Sequence, residues 1–160
     1  GGAMFETGAG GTAPTLVKEL KEKNHLLWDS LGEFLALSAS LEHLAFFRQK
    51  KEAKELSDAL NRAVASYLDE NKTPNVTLDT RESHFYLALF WAREMAKSGG
   101  VLSKIFENLA DELEKNESEI LKQIREKDGV SVEFGGYYLL DEARANEVMR
   151  PSEILNQIIG

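Results

Sequence analysis

Cysteine is absent from the 160 residues of the sequence, and proline occurs only three times. Without cysteine the chain has no disulfide bond, no thiolate nucleophile and no metal site with cysteine ligands. No apolar run reaches the roughly 18 residues that a membrane-spanning helix needs. The N-terminus shows no basic stretch followed by an apolar one, the pattern of a signal peptide. We therefore expect a cytoplasmic protein that does not span a membrane.

Positive charge is scarce, because 19 Lys and Arg residues stand against 27 Asp and Glu residues, a net charge of −8. Like charges repel, so nucleic-acid backbones and anionic membranes are disfavoured as partners. A hydrophobic fraction of 42% with 29% charged residues is typical of a globular chain. The length predicts a single unit over residues 1–160.

Helical periodicity dominates the sequence and predicts a mainly α fold with one or two short β-strands. Residues 1–13 form a predicted Gly-rich loop and residues 14–126 a helical region. Residues 130–160 are predicted to form a short strand followed by a terminal helix. The strand prediction rests on Val130-Ser131-Val132-Glu133-Phe134, where apolar and polar residues alternate.

Three local patterns refine the helical region. Ser30 and Glu33 have the spacing of a capping box at a helix start. The apolar residues within 85–91 cover most of a helix circumference, which predicts a buried central helix rather than a cofactor site. Asn116 marks a predicted break in the helical pattern that follows residue 102.

A Gly-rich loop before a helix is the strongest chemical signal, since its free N–H groups can hold an anion or a phosphate. Residues 8–13 fit a loose G-x-G-x-x-G/A pattern, but no hydrophobic strand precedes them, so a flexible loop is an equal alternative. Trp28 and Asp29 could contact a ligand, although a Trp at a helix entry is more often a packing anchor and Asp29 can act as a helix cap. The three histidines, His25, His43 and His84, lack the spacing of a zinc motif.

Several longer segments resemble monomeric-type isocitrate dehydrogenases, in order along the whole chain. The segments are Met4–Pro14 (MFETGAGGTAP), Trp28–Leu37 (WDSLGEFLAL), Ser83–Leu89 (SHFYLAL), Gly135–Tyr138 (GGYY), Met149–Ser152 (MRPS) and Leu155-Asn156. The enzymes of that family are several times longer, so the chain resembles only their C-terminal part. This part completes the large α/β domain of an isocitrate/isopropylmalate dehydrogenase-like fold, together with the N-terminal part of the same enzyme.

The resemblance implies one side of a coenzyme pocket and no catalytic residue. The implied coenzyme contacts are Thr12, Leu16, Leu27, Trp28, Asp29 and Val76. Members that use NADP carry His or Arg at the positions matching Leu16, Leu27 and Val76, where those side chains bind the 2′-phosphate. A hydrogen bond to a charged group contributes about 1.5–3 kcal/mol, so three aliphatic residues there predict that NAD is preferred over NADP.

By resemblance, the complete enzyme oxidises and decarboxylates isocitrate to 2-oxoglutarate with NAD(P), as in the tricarboxylic acid cycle and the glyoxylate bypass. Its Mg or Mn ion would be bound by residues outside this chain, so the 160 residues alone are expected to be inactive. A piece of a larger domain exposes apolar surface, which favours self-association. The alternative is a non-catalytic helical binding module or subunit that keeps the fold without activity.

Overall fold

A computed structural model of the chain describes residues 13–26, 30–70, 79–133, 135 and 141–160, with side chains from residue 18 onward. Within these ranges seven helices follow one another. They are α1 (Ala13–Lys23), α2 (Ser30–Arg48), α3 (Lys51–Glu70), α4 (Thr80–Ala96), α5 (Ser103–Arg125), α6 (Glu142–Met149) and α7 (Glu153–Ile159). The mainly α part of the predicted fold class is confirmed for the described residues.

The strand predicted at 130–134 is not observed, because residues 130–133 are irregular and residue 134 lies outside the described ranges. The backbone N–H groups of this segment instead meet the C-terminal end of α1. Gly129 N donates to Lys23 O at 2.6 Å, and Val132 N donates to Lys21 O at 2.9 Å. The last carbonyls of a helix lack partners within it, so they accept these hydrogen bonds in place of a neighbouring strand. The described residues contain no β-strand, and the large α/β domain stays a prediction.

The described residues group into two compact units. The first unit contains α1, residues 24–26, the beginning of α4, the end of α5 from residue 117, and α6 and α7. The second unit contains α2, α3 and the remaining parts of α4 and α5. The prediction of one unit within a larger domain is not tested by this grouping.

The core of the second unit lies between α3 and α4. It is a cluster of six buried residues, namely Leu60, Ala63, Val64, Tyr67, Leu87 and Phe90. Phe85 and Leu89 of α4 are buried as well. The aromatic and aliphatic stripe at 85–91 therefore supplies core packing, as its periodicity predicts.

Two local predictions are wrong. Helix α5 continues through Asn116, whose side-chain Nδ2 donates to the carbonyl oxygen of Glu112 at 2.8 Å. Helix α2 begins at Ser30 itself, and the side chains of the predicted capping box have other partners. The Ser30 hydroxyl lies 2.6 Å from that of Ser83, and the Glu33 carboxylate lies 2.7 Å from His84 Nε2.

None of the described helices is both long enough and apolar enough to cross a membrane.

Candidate functional site

Most of the predicted coenzyme contacts lie outside the described residues. Thr12, Leu27, Trp28, Asp29 and Val76 are in this group. Leu16 lies in α1, but its side chain is not among those described. These six residues therefore stay predictions, and the structure describes the chain that adjoins them.

Two of the adjoining segments are joined by hydrogen bonds. Leu26 immediately precedes the predicted contacts at 27–29, and Asp79 follows the segment that contains Val76. Leu26 N donates to Asp79 Oδ2 at 2.9 Å, and Thr80 N donates to Leu26 O at 2.7 Å. Chain positions 53 residues apart are thus fixed next to each other.

Arg81 completes this junction from a buried position. Its Nε donates to Asp79 Oδ1 at 2.8 Å and its Nη2 to Asp79 Oδ2 at 2.8 Å. Nη2 also donates to Asn24 O at 2.6 Å, while Nη1 donates to Asn24 Oδ1 at 2.9 Å and to Val148 O at 2.7 Å. These bonds use all five N–H donors that a guanidinium carries. Arg81 therefore links the end of α1, the start of α4 and the end of α6.

The carboxylate of Asp79 is held in its ionised form. Burial disfavours its charge and would raise its pKa, but the hydrogen bonds and positive charge of Arg81 oppose this. The backbone N–H groups of Leu26 and Arg81 donate to the same carboxylate. The pKa of Asp79 is lowered as a result. A buried but fully paired ion pair of this kind orders the chain around it.

His25 lies at the edge of this junction. Its Nδ1 is 3.1 Å from Asp128 Oδ1 and 3.7 Å from Asp79 Oδ2. His25 thus connects the turn after α5 with the junction. We name the set Asn24, His25, Asp79, Arg81 and Asp128 the polar junction.

Two further contacts hold the surrounding helices of the first unit. The buried Glu82 accepts from Arg125 of α5, with Oε2 2.7 Å from Nη2. The Ser152 hydroxyl donates to Gln123 Oε1 at 2.8 Å and accepts from Leu155 N at 3.2 Å, so it caps α7 and ties it to α5. These bonds make the polar junction part of a connected scaffold.

The other two histidines take ordinary surface roles. His43 is exposed on α2, with its ring centroid 4.2 Å from that of Phe47. His84 pairs with Glu33 at a partly exposed position. In the part of the chain that the structure describes, no three His, Asp or Glu side chains converge to hold a metal ion. The expectation that the Mg or Mn ion of the complete enzyme is bound by residues outside this chain stays a prediction.

Sequence reasoning did not identify Asp79 and Arg81. Asn24 and Arg81 are 57 residues apart and Arg81 and Val148 are 67 apart, so no local spacing reveals their contact. One available signal was Asp79 directly before a helix, where an aspartate caps the first N–H groups. The bond from Arg81 N to Asp79 Oδ1 at 2.8 Å is this cap.

Comparison with known proteins identifies the family. The family model described as monomeric isocitrate dehydrogenase matches residues 1–160. The chain is 51% identical to isocitrate dehydrogenase [NADP] 2 of Psychrobacter sp. (strain 13A) over 165 residues, which cover 100% of the chain and 22% of that enzyme. It is 47% identical to isocitrate dehydrogenase [NADP] 2 of Mycobacterium tuberculosis, over 98% of the chain and 22% of that enzyme. It is 42% identical to isocitrate dehydrogenase [NADP] of Azotobacter vinelandii, over 100% of the chain and 22% of that enzyme.

The predicted preference for NAD over NADP is wrong. The relatives that match the whole chain carry NADP in their names. The prediction transferred the family roles of single positions to Leu16, Leu27 and Val76. Three aliphatic residues at these positions do not exclude a 2′-phosphate site built from other residues.

The resemblance found in the sequence is confirmed, and the chain spans about 22% of the length of the curated relatives it matches. This share is consistent with the C-terminal segment that the resemblance implies. Because the family model matches every residue from 1 to 160, the chain belongs to the monomeric isocitrate dehydrogenase family.

Proposed function

We propose that this chain is a segment of an NADP-dependent isocitrate dehydrogenase. The observation that carries the proposal is the match of the family model to residues 1–160, together with relatives named for isocitrate and NADP. In the proposed reaction, isocitrate and NADP⁺ give 2-oxoglutarate, CO₂ and NADPH.

The chemistry divides between substrate, coenzyme and protein. A hydride leaves C2 of isocitrate for the nicotinamide ring, and the C2 hydroxyl loses its proton. The resulting keto acid loses CO₂, and the carbon that carried the CO₂ takes up a proton to give 2-oxoglutarate. The coenzyme carries the hydride, and the protein binds and orients the two reactants. A divalent metal ion in the complete enzyme would polarise the carbonyl oxygen as a Lewis acid.

The role of this segment within the enzyme is one side of the coenzyme pocket. The proposed contacts are Thr12, Leu16, residues 27–29 and Val76, in a pocket that accepts NADP. Support comes from the polar junction, because Leu26 and Asp79 adjoin two of these segments and are hydrogen-bonded to each other. Binding loops on rigid supports lose less conformational entropy when a ligand binds.

The direct test is an assay of the longer protein that contains this chain. We expect NADPH and 2-oxoglutarate to form together from isocitrate and NADP⁺. Absence of both products would contradict the proposed function and favour the non-catalytic helical module.

A second test addresses the pocket. Asp29→Asn in the longer protein is expected to raise the KM for NADP⁺ about tenfold, the effect of losing one hydrogen bond of about 1.4 kcal/mol. The KM for isocitrate should change less. Asp58→Asn is the control, because the side chain of Asp58 is 44% exposed and pairs only with Lys54 in the described structure. Equal KM values for NADP⁺ in the two variants would contradict the assignment.

A further inference from the structure

Helix α2 has an unusual distribution of polar and apolar side chains. The residues of α2 that are fully buried are Ser30 and Ser38. Five of its large apolar residues are exposed instead, namely Leu35, Leu37, Leu44, Phe46 and Phe47. Phe46 is 78% exposed and Phe47 is 65% exposed. A helix usually buries its apolar residues and exposes its polar ones. The exposed side of α2 instead carries large apolar residues.

The inner side of α2 already has a partner. The Ser38 hydroxyl lies 3.1 Å from the Ser57 hydroxyl of α3 and donates to Asn61 Oδ1 at 2.8 Å. Leu31, Phe34 and Leu41 pack against the core of the second unit. The inner side of α2 is therefore already packed. A rotation of α2 that buried the exposed apolar residues would break these hydrogen bonds and core contacts.

The exposed residues spread over the remaining circumference. With 3.6 residues per turn, Leu35 and Phe46 fall on one flank of α2 and Leu37 and Leu44 on another. Phe47 lies between the flanks, in contact with the ring of His43 and edge-on to that of Phe46. A helix that is apolar on nearly all sides is a central helix, covered by further protein.

Positive charge borders one end of this surface. Arg48, Lys50 and Lys51 are exposed and have no ion pair with any described residue. Lys50, Lys51 and Lys54 line a depression of about 600 Å³ together with Phe46 and a single carboxylate, that of Glu42. In a chain of net charge −8, this local excess of cations favours a covering segment that carries carboxylates.

The length of the relatives indicates what covers α2. The chain spans 22% of each of them, so about four fifths of such an enzyme lies elsewhere. We infer that the apolar surface of α2, with the cations at its end, is an internal interface against the remainder of the longer enzyme. The covering segment presents apolar side chains to Leu44, Phe46 and Phe47 and carboxylates to Arg48, Lys50 and Lys51. This inference rests on the proposal that the chain is a segment of a longer enzyme. Its test is chemical labelling, which does not depend on enzyme activity.

The experiment compares thiol labelling in the 160-residue chain and in the longer protein. The chain has no cysteine, so Phe47→Cys and Ile105→Cys each introduce its sole thiol. The two positions are matched, because Phe47 is 65% and Ile105 is 64% exposed. Maleimide modification at each position is followed by peptide mass spectrometry, which separates these sites from any cysteine elsewhere in the longer protein.

We expect labelling at position 47 to be at least about tenfold slower in the longer protein than in the chain, with a smaller change at position 105. Lys50→Glu with Lys51→Glu should raise the rate at position 47 in the longer protein several-fold, and Lys115→Glu should leave it unchanged. Slowing at position 47 that is no greater than at position 105 would overturn the inference.

A second copy of the chain is the competing occupant of this surface. Protection at position 47 that increases with concentration of the 160-residue chain, with dimers in sedimentation, would assign the surface to self-association and overturn the inference. Failure of the NADP assay with intact protection at position 47 would contradict the proposed function alone.

Discussion

At the scale of single residues, Arg81 has the densest set of polar contacts described in the first unit. It is buried, and each of its five N–H groups reaches an oxygen of Asn24, Asp79 or Val148. Removing water from two charges is costly, so the pair is stable only because every donor is satisfied. Loss of one member leaves the other buried without a counter-charge.

Arg81→Met is therefore expected to lower the free energy of unfolding by about 3–5 kcal/mol, the range for breaking a buried ion pair. Urea denaturation of the chain measures this. The control is Lys104→Met, since Lys104 and Glu107 form a pair in which both side chains are exposed. An exposed pair contributes about 0–1 kcal/mol, so the control should change little. Similar losses for the two variants would contradict the role of Arg81.

The lowered pKa of Asp79 predicts a dependence of stability on pH. A carboxylate whose pKa is lower in the folded state adds stability above its unfolded pKa of about 3.9 and loses it as pH falls through the folded pKa. The free energy of unfolding is expected to decrease below about pH 4, more steeply in the wild type than in Asp79→Asn. Denaturation at a series of pH values between 3 and 7 measures the difference. If the free energy of unfolding changed with pH in the same way in the wild type and in Asp79→Asn, the lowered pKa of Asp79 would be contradicted.

At the scale of helices, Ser152 joins two elements through one hydroxyl. It caps α7 by accepting from Leu155 N and donates to Gln123 of α5. Ser152→Ala is expected to cost about 1–2 kcal/mol, because the cap and a buried hydrogen bond are lost together. Asp141→Ala removes the exposed cap of α6 and should cost less, about 0.5–1 kcal/mol. Chemical denaturation measures the free energy of unfolding of both variants. A larger loss of this free energy in Asp141→Ala than in Ser152→Ala would contradict this account.

The helices show what periodicity predicts and what it does not. The stripe at 85–91 predicts a buried helix because its apolar residues surround the helix axis. In α4 the buried residues of this stripe are Phe85, Leu87, Leu89 and Phe90. The segment 130–133 alternates like a strand, yet its N–H groups bond to the end of α1, a partner more than 100 residues earlier. Helix α6 was not predicted, although Asp141 before Glu142-Ala143-Arg144-Ala145 has the features of a capped helix.

The site is less predictable than the helices. Motifs such as MFETGAGGTAP and WDSLGEFLAL identify the family because they are long and specific. The polar junction depends on contacts between residues 24, 79, 81 and 148, and such contacts follow from tertiary packing rather than from spacing. The predicted coenzyme preference was wrong because single aliphatic positions do not determine which other residues bind a 2′-phosphate.

At the scale of the whole molecule, the two units differ in how they are held together. The first unit contains the polar junction, and the second is built on an apolar core between α3 and α4. Leu26 and Asp79, which adjoin the segments of the predicted coenzyme contacts at 27–29 and 76, belong to the first unit. We therefore expect variants of the polar junction to affect coenzyme binding more than variants in the core of the second unit that cause an equal loss of stability.

The most direct test of the central proposal is the ratio of kcat/KM for NADP⁺ to that for NAD⁺ in the longer protein with isocitrate as substrate. We predict a preference for NADP⁺ of at least about tenfold, because even one hydrogen bond to the charged 2′-phosphate contributes about 1.5–3 kcal/mol. Equal or greater efficiency with NAD⁺, or no oxidation of isocitrate with either coenzyme, would contradict the account.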